Sequence, residues 1–251
     1  MESGPDWALQ FFTAHGAGLE SIASYLAFSM EELAGKLLDF QHFTFGKNIL
    51  IFVNCMEVND NTVWDPEDLI RAVEILNQGG VILYPTDTIW GIGCDATNPE
   101  AVEKVYRIKE RPTGKSMLIL VSDIGMAEVY THDTPDLTWE VMEEALDPLT
   151  LIFPHARNLA HNLPAPDGSI GIRLSRDPFC QEMIRRFGKP IVSSSANPSS
   201  KMPPQFFIDI AEELIARVDY VVRWRQDDLQ PGTPSTVVRL GPDGEMEMIR
   251  P

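Results

Sequence analysis

Positive charge is scarce in this chain. Its 251 residues carry 37 Asp and Glu against 20 Lys and Arg, a formal net charge of −17. Such a balance repels nucleic acid and anionic bilayers at long range, which excludes a general binder of either while leaving room for a local basic pocket. Cysteine is scarce too. Cys55, Cys94 and Cys180 are odd in number and widely spaced, with no Cys-x-x-Cys and no zinc spacing, so a reduced, cytoplasmic setting is expected rather than a disulfide framework. No apolar run is long enough for a bilayer, and no basic segment followed by an apolar core marks a secretory signal. His15, His42, His132, His155 and His161 show no metal-ligand spacing, so no protein-held metal is expected; His155 and His161 read as surface-loop residues. Gly91-x-Gly93 lacks the third glycine of a dinucleotide fingerprint. Without a Gly-x-Ser-x-Gly elbow, nucleophilic serine catalysis is not expected.

The composition that remains, 44% apolar and 23% charged, is that of a globular protein with one large domain or two small ones. The organising stretch is Gly79 to Ala96. Val81 to Tyr84 reads as a buried strand, and Pro85 ends its ladder because it has no N–H to donate. Thr86, Asp87 and Thr88 follow, then Gly91 and Gly93. Small hydroxyls and bare backbone at a strand end suit a ligand lying close to the main chain; an ordinary strand-turn with a satisfied Asp reads equally well.

Residues 1–55 differ from the rest and read as an N-terminal extension. Ser29-Met30-Glu31-Glu32 is a capping box for a helix through Leu38. Leu19 to Phe28 reads as an amphipathic helix and Ile49 to Val53 as a short strand. Met56 is an alternative start. The unit that follows is expected to span 66–251. Asp65-Pro66-Glu67-Asp68 and Asn98-Pro99-Glu100 open helices, the first ended by Gly79 and the second by Pro112. Leu137–Ala145, Pro178–Phe187 and Phe206–Ala216 read as further helices. Strands are expected at Met117–Val121, Leu149–Phe153, Ile170–Leu174, Pro190–Val192, Tyr220–Val222, Thr236–Leu240 and Glu245–Ile249. Such mixing points to an α/β fold with one twisted mixed sheet.

Several groups could carry chemistry. Lys109-x-Arg111 and Lys115 put three cations within seven residues of an acidic chain, a fork and two point charges suited to a polyphosphate. A solvated helix end complementing its dipole is the alternative. Ser193 and Ser195 share a strand face with Asn197 beyond it; a Ser-rich helix cap is the alternative. Arg173 lies in the apolar Gly168–Arg173 stretch and needs an anion, either a ligand or a structural acid. Thr233-Pro234-Ser235-Thr236 and Arg250 complete the set.

In this order and spacing, Tyr84-Pro85-Thr86-Asp87-Thr88-Ile89-Trp90-Gly91-Ile92-Gly93, Lys109-x-Arg111-Pro112, Pro148-Leu149-Thr150, Gly171-Ile172-Arg173, Ser193-x-Ser195-Ala196-Asn197, Ser235-Thr236-Val237-Val238 and Ile249-Arg250-Pro251 resemble the YrdC-like family of L-threonylcarbamoyladenylate synthases, over roughly three quarters of the chain. The family's usual Ser-Gly after Ser-Ala-Asn reads Ser199-Ser200 here. The chain resembles the short form, without a second C-terminal domain. The resemblance implies a YrdC-like sheet around a concave ligand cavity. It implies a reaction in which L-threonine, bicarbonate and ATP give threonylcarbamoyl-AMP and pyrophosphate, for threonylcarbamoyladenosine modification of tRNA by a downstream transferase complex. Carried onto matching positions, Thr88, Arg173, Ser193 and Ser235 hold threonine. Arg111, Lys115, Ser169, Ser195, Asn197, Pro203 and Arg250 hold ATP with its Mg²⁺, and Lys109 and Arg111 neutralise charge in the reaction. Two alternatives follow from the same resemblance. One is a non-catalytic module binding double-stranded RNA or tRNA; the other is a carbamoyl-adenylating relative from hydrogenase maturation, which usually sits in a much larger chain.

Overall fold

The computed structural model describes residues 64–112, 115–132, 134–241 and 245–251. The helices expected at 19–28 and 29–38 and the strand at 49–53 lie outside them. One compact unit runs from Asn59 to Pro251.

Three helices begin as their sequences dictate. In α1 (Pro66–Asn77) the Asp65 carboxylate accepts the Glu67 N–H. In α2 (Pro99–Ile108) Asn98 accepts from Glu100 and Ala101. In α5 (Pro178–Phe187) Asp177 accepts from Cys180. Proline occupies the first turn of each, where its missing N–H costs nothing. The remaining helices are α3 (Ile124–Val129), α4 (Asp136–Glu144) and α6 (Glu212–Ile215). The strands are β1 (Ile82–Tyr84), β2 (Gly91–Gly93), β3 (Leu118–Val121), β4 (Leu149–Phe153), β5 (Ile170–Leu174), β6 (Ile191–Ser195), β7 (Tyr220–Val221), β8 (Thr236–Leu240) and β9 (Met246–Arg250). They form one mixed sheet in the order β7-β1-β2-β6-β3-β5-β4-β8-β9.

One local reading needs correction, and two elements carry no sequence signal. The helix expected over Phe206–Ala216 is instead a 3-10 turn, Phe207–Asp209, followed by α6. Asp209 turns back to accept the Phe206 N–H, Ala211 is extended, and Phe207 leans on Trp90 at 4.8 Å between ring centroids. α3 escapes a periodicity test because it is six residues long and buries only Ala127. β2 escapes because two of its three residues are glycine. At Gly93 that choice is forced, since a Cβ would overlap the Val192 carbonyl of the neighbouring strand.

The sheet separates two apolar layers. Val81, Leu83, Ile92, Ile119, Leu151 and Ile172 face a layer containing α2, α3, α4 and α6 residues, whereas Ile82, Tyr84, Leu120 and Ile191 face α1 and α5. Alternation along each strand produces this division.

Asp68 anchors α1 to the chain beyond β7. It is 1% exposed, and its carboxylate accepts the Tyr220 hydroxyl and the Arg223 and Trp224 N–H groups. Burial and this carboxylate push the Tyr220 phenol up to about 12. Asp68→Ala orphans these donors. Denaturant unfolding should report a loss of about 3 kcal/mol, with the slope m unchanged.

Candidate functional site

In-register residues on adjacent strands point to the same side of a sheet. Arg173 is in register with Leu120 on one side and Thr150 on the other, and Ser193 with Leu118. Arg173, Thr150, Ser193 and Ser195 therefore share the face that carries α1 and α5. Ser235, just ahead of β8, joins it, with its hydroxyl 2.8 Å from the Thr150 hydroxyl.

Arg173 is 4% exposed. Nη1 donates to the Thr88 hydroxyl at 3.0 Å, and Nη2 lies 3.5 Å from the Thr86 hydroxyl. The Thr86 hydroxyl donates to the Ile89 carbonyl at 2.8 Å and lies 2.8 Å from Thr88. Since Thr86 spends its proton on Ile89, Thr88 is the donor between the two. A directed chain results: Arg173 to Thr88 to Thr86 to Ile89. The anion Arg173 needed is present within the chain: Asp87 Oδ1 lies 3.2 Å from Nη2, the structural acid of the alternative reading.

A segment after β7 braces this turn. Arg225 Nη1 donates to the Thr86 carbonyl at 3.2 Å and to Asp177 Oδ2 at 3.1 Å, while Nε reaches Asp228 at 2.8 Å. Burial pushes the Asp177 carboxyl up, opposed by the Cys180 N–H and Arg225. Gly232 lies so close to the Thr88 carbonyl that a Cβ would overlap it. A shallow, open cleft lies here, with Thr86, Thr88, Trp90, Arg225, Asp228 and Gly232 among its lining residues.

The second cluster starts at the end of α2. Glu110 adopts a left-handed conformation (φ 51°) and the Arg111 N–H reaches back to the Tyr106 carbonyl. This arrangement ends the helix before Pro112 is reached. Lys109, 1% exposed, turns inward. Its ammonium donates to the Ser195 carbonyl and, at 2.7 Å, to the Asn197 carbonyl. Burial, aided by the Arg111 charge, pushes it down to about 7. Arg111 closes its own loop, donating to the Lys115 and Ser116 carbonyls at 2.7 and 2.6 Å. Asn197 donates to the Pro198 and Lys201 carbonyls, and its buried Oδ1 accepts nothing.

The sequence-derived residues thus fall into three groups. Thr88 and Arg173 touch; Ser235 joins Thr150 and Arg250, whose Nη2 donates to the Ser235 carbonyl at 2.7 Å; Lys109 joins Ser195 and Asn197. β6 links the last group to the face that holds Arg173. Ser169 donates to Asp167 at 2.6 Å, and Lys115 and Pro203 are exposed; their side chains stand outside the three groups. Sequence reasoning read Thr86 and Asp87 only as small polar groups at a strand end and gave no role to Asp177 or Arg225. Asp87 had a usable signal, an acid between two hydroxyls at a strand end, whereas Arg225 had none. His155 and His161 lie exposed in loops, as expected, and Cys94 is buried, with burial pushing its thiol up.

The Sua5_yciO_yrdC family pattern, described as "Telomere recombination", matches residues 74–251. The chain belongs to this family. A threonylcarbamoyl-AMP synthase from Saccharophagus degradans is 32% identical over 180 residues, covering 70% of this chain and 91% of that protein. One from Vibrio campbellii is 31% identical, covering 68% and 97%. Among solved structures, E. coli YciO matches with a TM-score of 0.64 and 25% identity over 74% of this chain and 91% of its own. P. abyssi Sua5 complexed with L-threonine shares the fold at a TM-score of 0.59 and 23% identity. The match covers 69% of this chain and 51% of that one, so the present chain spans about half its length. The family's α/β architecture is the nine-stranded mixed, twisted sheet described above. No described helix is long and apolar enough to cross a membrane.

Proposed function

We propose that this Sua5/YciO/YrdC-family chain is an L-threonylcarbamoyladenylate synthase, making threonylcarbamoyl-AMP and pyrophosphate from L-threonine, bicarbonate and ATP for tRNA modification. The observation that carries the reading is Arg173. A guanidinium 4% exposed on a sheet face, ringed by the Thr86 and Thr88 hydroxyls, is suited to the carboxylate of a small hydroxylated amino acid. The names of the bacterial relatives support it, as does a Sua5 of the same fold taking L-threonine.

The chemistry asks little covalent work of the protein. Threonine's ammonium gives a proton to bicarbonate, which loses water as carbon dioxide; the uncharged amine, which a desolvated site favours, then adds to that carbon dioxide and sheds a second proton as the carbamate forms. A carbamate oxygen then attacks the α-phosphorus in line and pyrophosphate leaves. Positioning and charge neutralisation suffice, supplied by Arg111, Lys115 and Arg250, with Ser195 and Asn197 orienting the nucleotide. Lys109 acts from behind, holding the Ser195 and Asn197 carbonyls. Among the described residues no cluster of three His, Cys, Asp or Glu could hold a metal ion. The neutral and cationic groups assigned to ATP fit a Mg²⁺ that arrives on the nucleotide's own phosphates, where it adds charge neutralisation. Excluding water protects the labile carbamate.

The test is a reaction mixture of protein, Mg²⁺-ATP, bicarbonate and L-threonine. Threonine-dependent pyrophosphate release and the adenylate's mass are expected; pyrophosphate release indifferent to threonine overturns the reading. Arg111→Ala should lower kcat/KM by roughly 10²-fold, the loss expected of one preorganised donor. Wild-type activity in that variant removes Arg111 from the assigned role.

A further inference from the structure

Two buried atoms without a hydrogen-bond partner belong to side chains that meet at the Thr86–Thr88 turn. Arg173 Nε is a donor without an acceptor, and Asp87 Oδ1 is an acceptor without a donor. Their side chains are 4% and 8% exposed. Oδ1 approaches Nη2 to 3.2 Å but outside hydrogen-bonding alignment. A pair evolved only to compensate itself would form the two parallel bonds that guanidinium and carboxylate readily make. Instead Asp87 spends Oδ2 on the Arg176 N–H at 3.0 Å, which fixes the carboxylate and leaves Oδ1 turned toward Arg173.

An α-amino acid carries its own anion and cation on neighbouring carbons. A guanidinium with an open donor beside a carboxylate with an open acceptor is the complementary arrangement. The geometry points to Asp87 as a further substrate-binding residue: it accepts N–H from the α-amino group of the amino acid whose carboxylate Arg173 takes, from the ammonium on binding and from the amine once that proton has passed to bicarbonate. This rests on the synthase reading and deepens it by assigning the second half of the head-group contact. The Thr86 and Thr88 hydroxyls can release Arg173 to the ligand, because they keep each other and the Ile89 carbonyl as partners. The open cleft lined by Thr86, Thr88 and Gly232 lies at the same turn, and neither Asp87 nor Arg173 is among its lining residues. Asp87 thereby fixes the nitrogen that becomes the carbamate, and selects an amino acid over a plain hydroxy acid.

Two variants test this, Asp87→Asn and Asp87→Glu. The second keeps Arg173 compensated, so it reports even if the first folds poorly. Pyrophosphate release is measured against L-threonine and against ATP, and binding of L-threonine and of 3-hydroxybutyrate, its deaminated analogue, by calorimetry. A charge-assisted contact predicts that threonine KM rises roughly 30-fold in Asp87→Asn and about tenfold in Asp87→Glu, with ATP KM within about twofold. The wild type should prefer threonine to the analogue by a similar factor, and Asp87→Asn should lose that preference. A merely structural role would lower the active fraction and kcat without this split. Unchanged threonine KM in both variants overturns the inference. Tighter threonine binding by Asp87→Asn also does so, because Asp87 would then only compete with substrate for Arg173. A wild-type protein that neither binds threonine nor releases pyrophosphate overturns the synthase reading as well. An active wild type with indifferent variants overturns this inference alone.

Discussion

Arg173→Gln is expected to lower threonine-dependent kcat/KM by roughly a thousandfold, about 4 kcal/mol, because it removes one side of a desolvated charge contact. The same change leaves Asp87 buried without its guanidinium, which should lower unfolding free energy by about 3–5 kcal/mol. Of a total that is typically about 5–15 kcal/mol, that is enough to confuse a folding defect with a catalytic one. The double variant Asp87→Asn/Arg173→Gln separates them. With both charges gone, urea unfolding should return close to the wild-type midpoint while activity stays lost. Recovery of activity together with stability would show that Arg173 serves the fold and not the substrate.

Lys109 carries the second large effect. Its ammonium bridges the Ser195 and Asn197 carbonyls from a position 1% exposed. Lys109→Met keeps the volume and removes the donor, leaving two carbonyls unsatisfied at about 1–3 kcal/mol each. Activity should fall at least as far as in Arg111→Ala, because the Ser195–Asn197 segment loses its support. A pH signature identifies the cause. Burial pushes Lys109 down to about 7 from 10.5, so between these values the unfolded chain holds the extra proton. The wild type therefore gains stability as pH rises through that window, by an amount on the order of 5 kcal/mol. Below about 7 the penalty of burying the charge is present in full. Unfolding measured at pH 7 and 9.5 should show this rise in the wild type and not in Lys109→Met. Equal pH slopes would mean that Lys109 is ionised throughout and already matched by its surroundings.

What could be read in advance was whatever local chemistry decides. Asp65, Asn98 and Asp177 cap helices because their side chains reach their own backbone, and the following prolines fix the start. The apolar runs of β3, β4 and β5 are strands because nothing but a sheet interior suits them. Phe206–Ala216 misled because its apolar spacing suits a helix, while the tertiary demand is for Phe207 to meet Trp90. In the site, the residue types were legible and their partners were not. Arg173 announced its need for an anion, but only the register of β3, β4 and β5 shows which way it points. Only the turn after β1 shows that Asp87 meets it. Lys109 read as a phosphate-binding cation; its inward turn answers the Ser195 and Asn197 carbonyls, 86 and 88 residues away. Arg225 is bonded to Asp177 and the Thr86 carbonyl, 48 and 139 residues away, and separation of that kind leaves no local trace.

β6 pairs antiparallel with β2 on one edge and with β3 on the other, so among the described residues it alone stitches β7-β1-β2 to the remaining strands. A nascent chain that has emerged as far as Gly188 holds two half-sheets with no seam between them and exposed edges on each. Vectorial folding on the ribosome must therefore wait for residues 191–195, and β8 must then return to β4 from some eighty residues downstream before Ser235 arrives. Completion of the sheet face that carries Arg173, Thr150 and Ser235 is thus confined to the closing stage of synthesis, and a truncated translation product keeps unpaired strand edges open to aggregation.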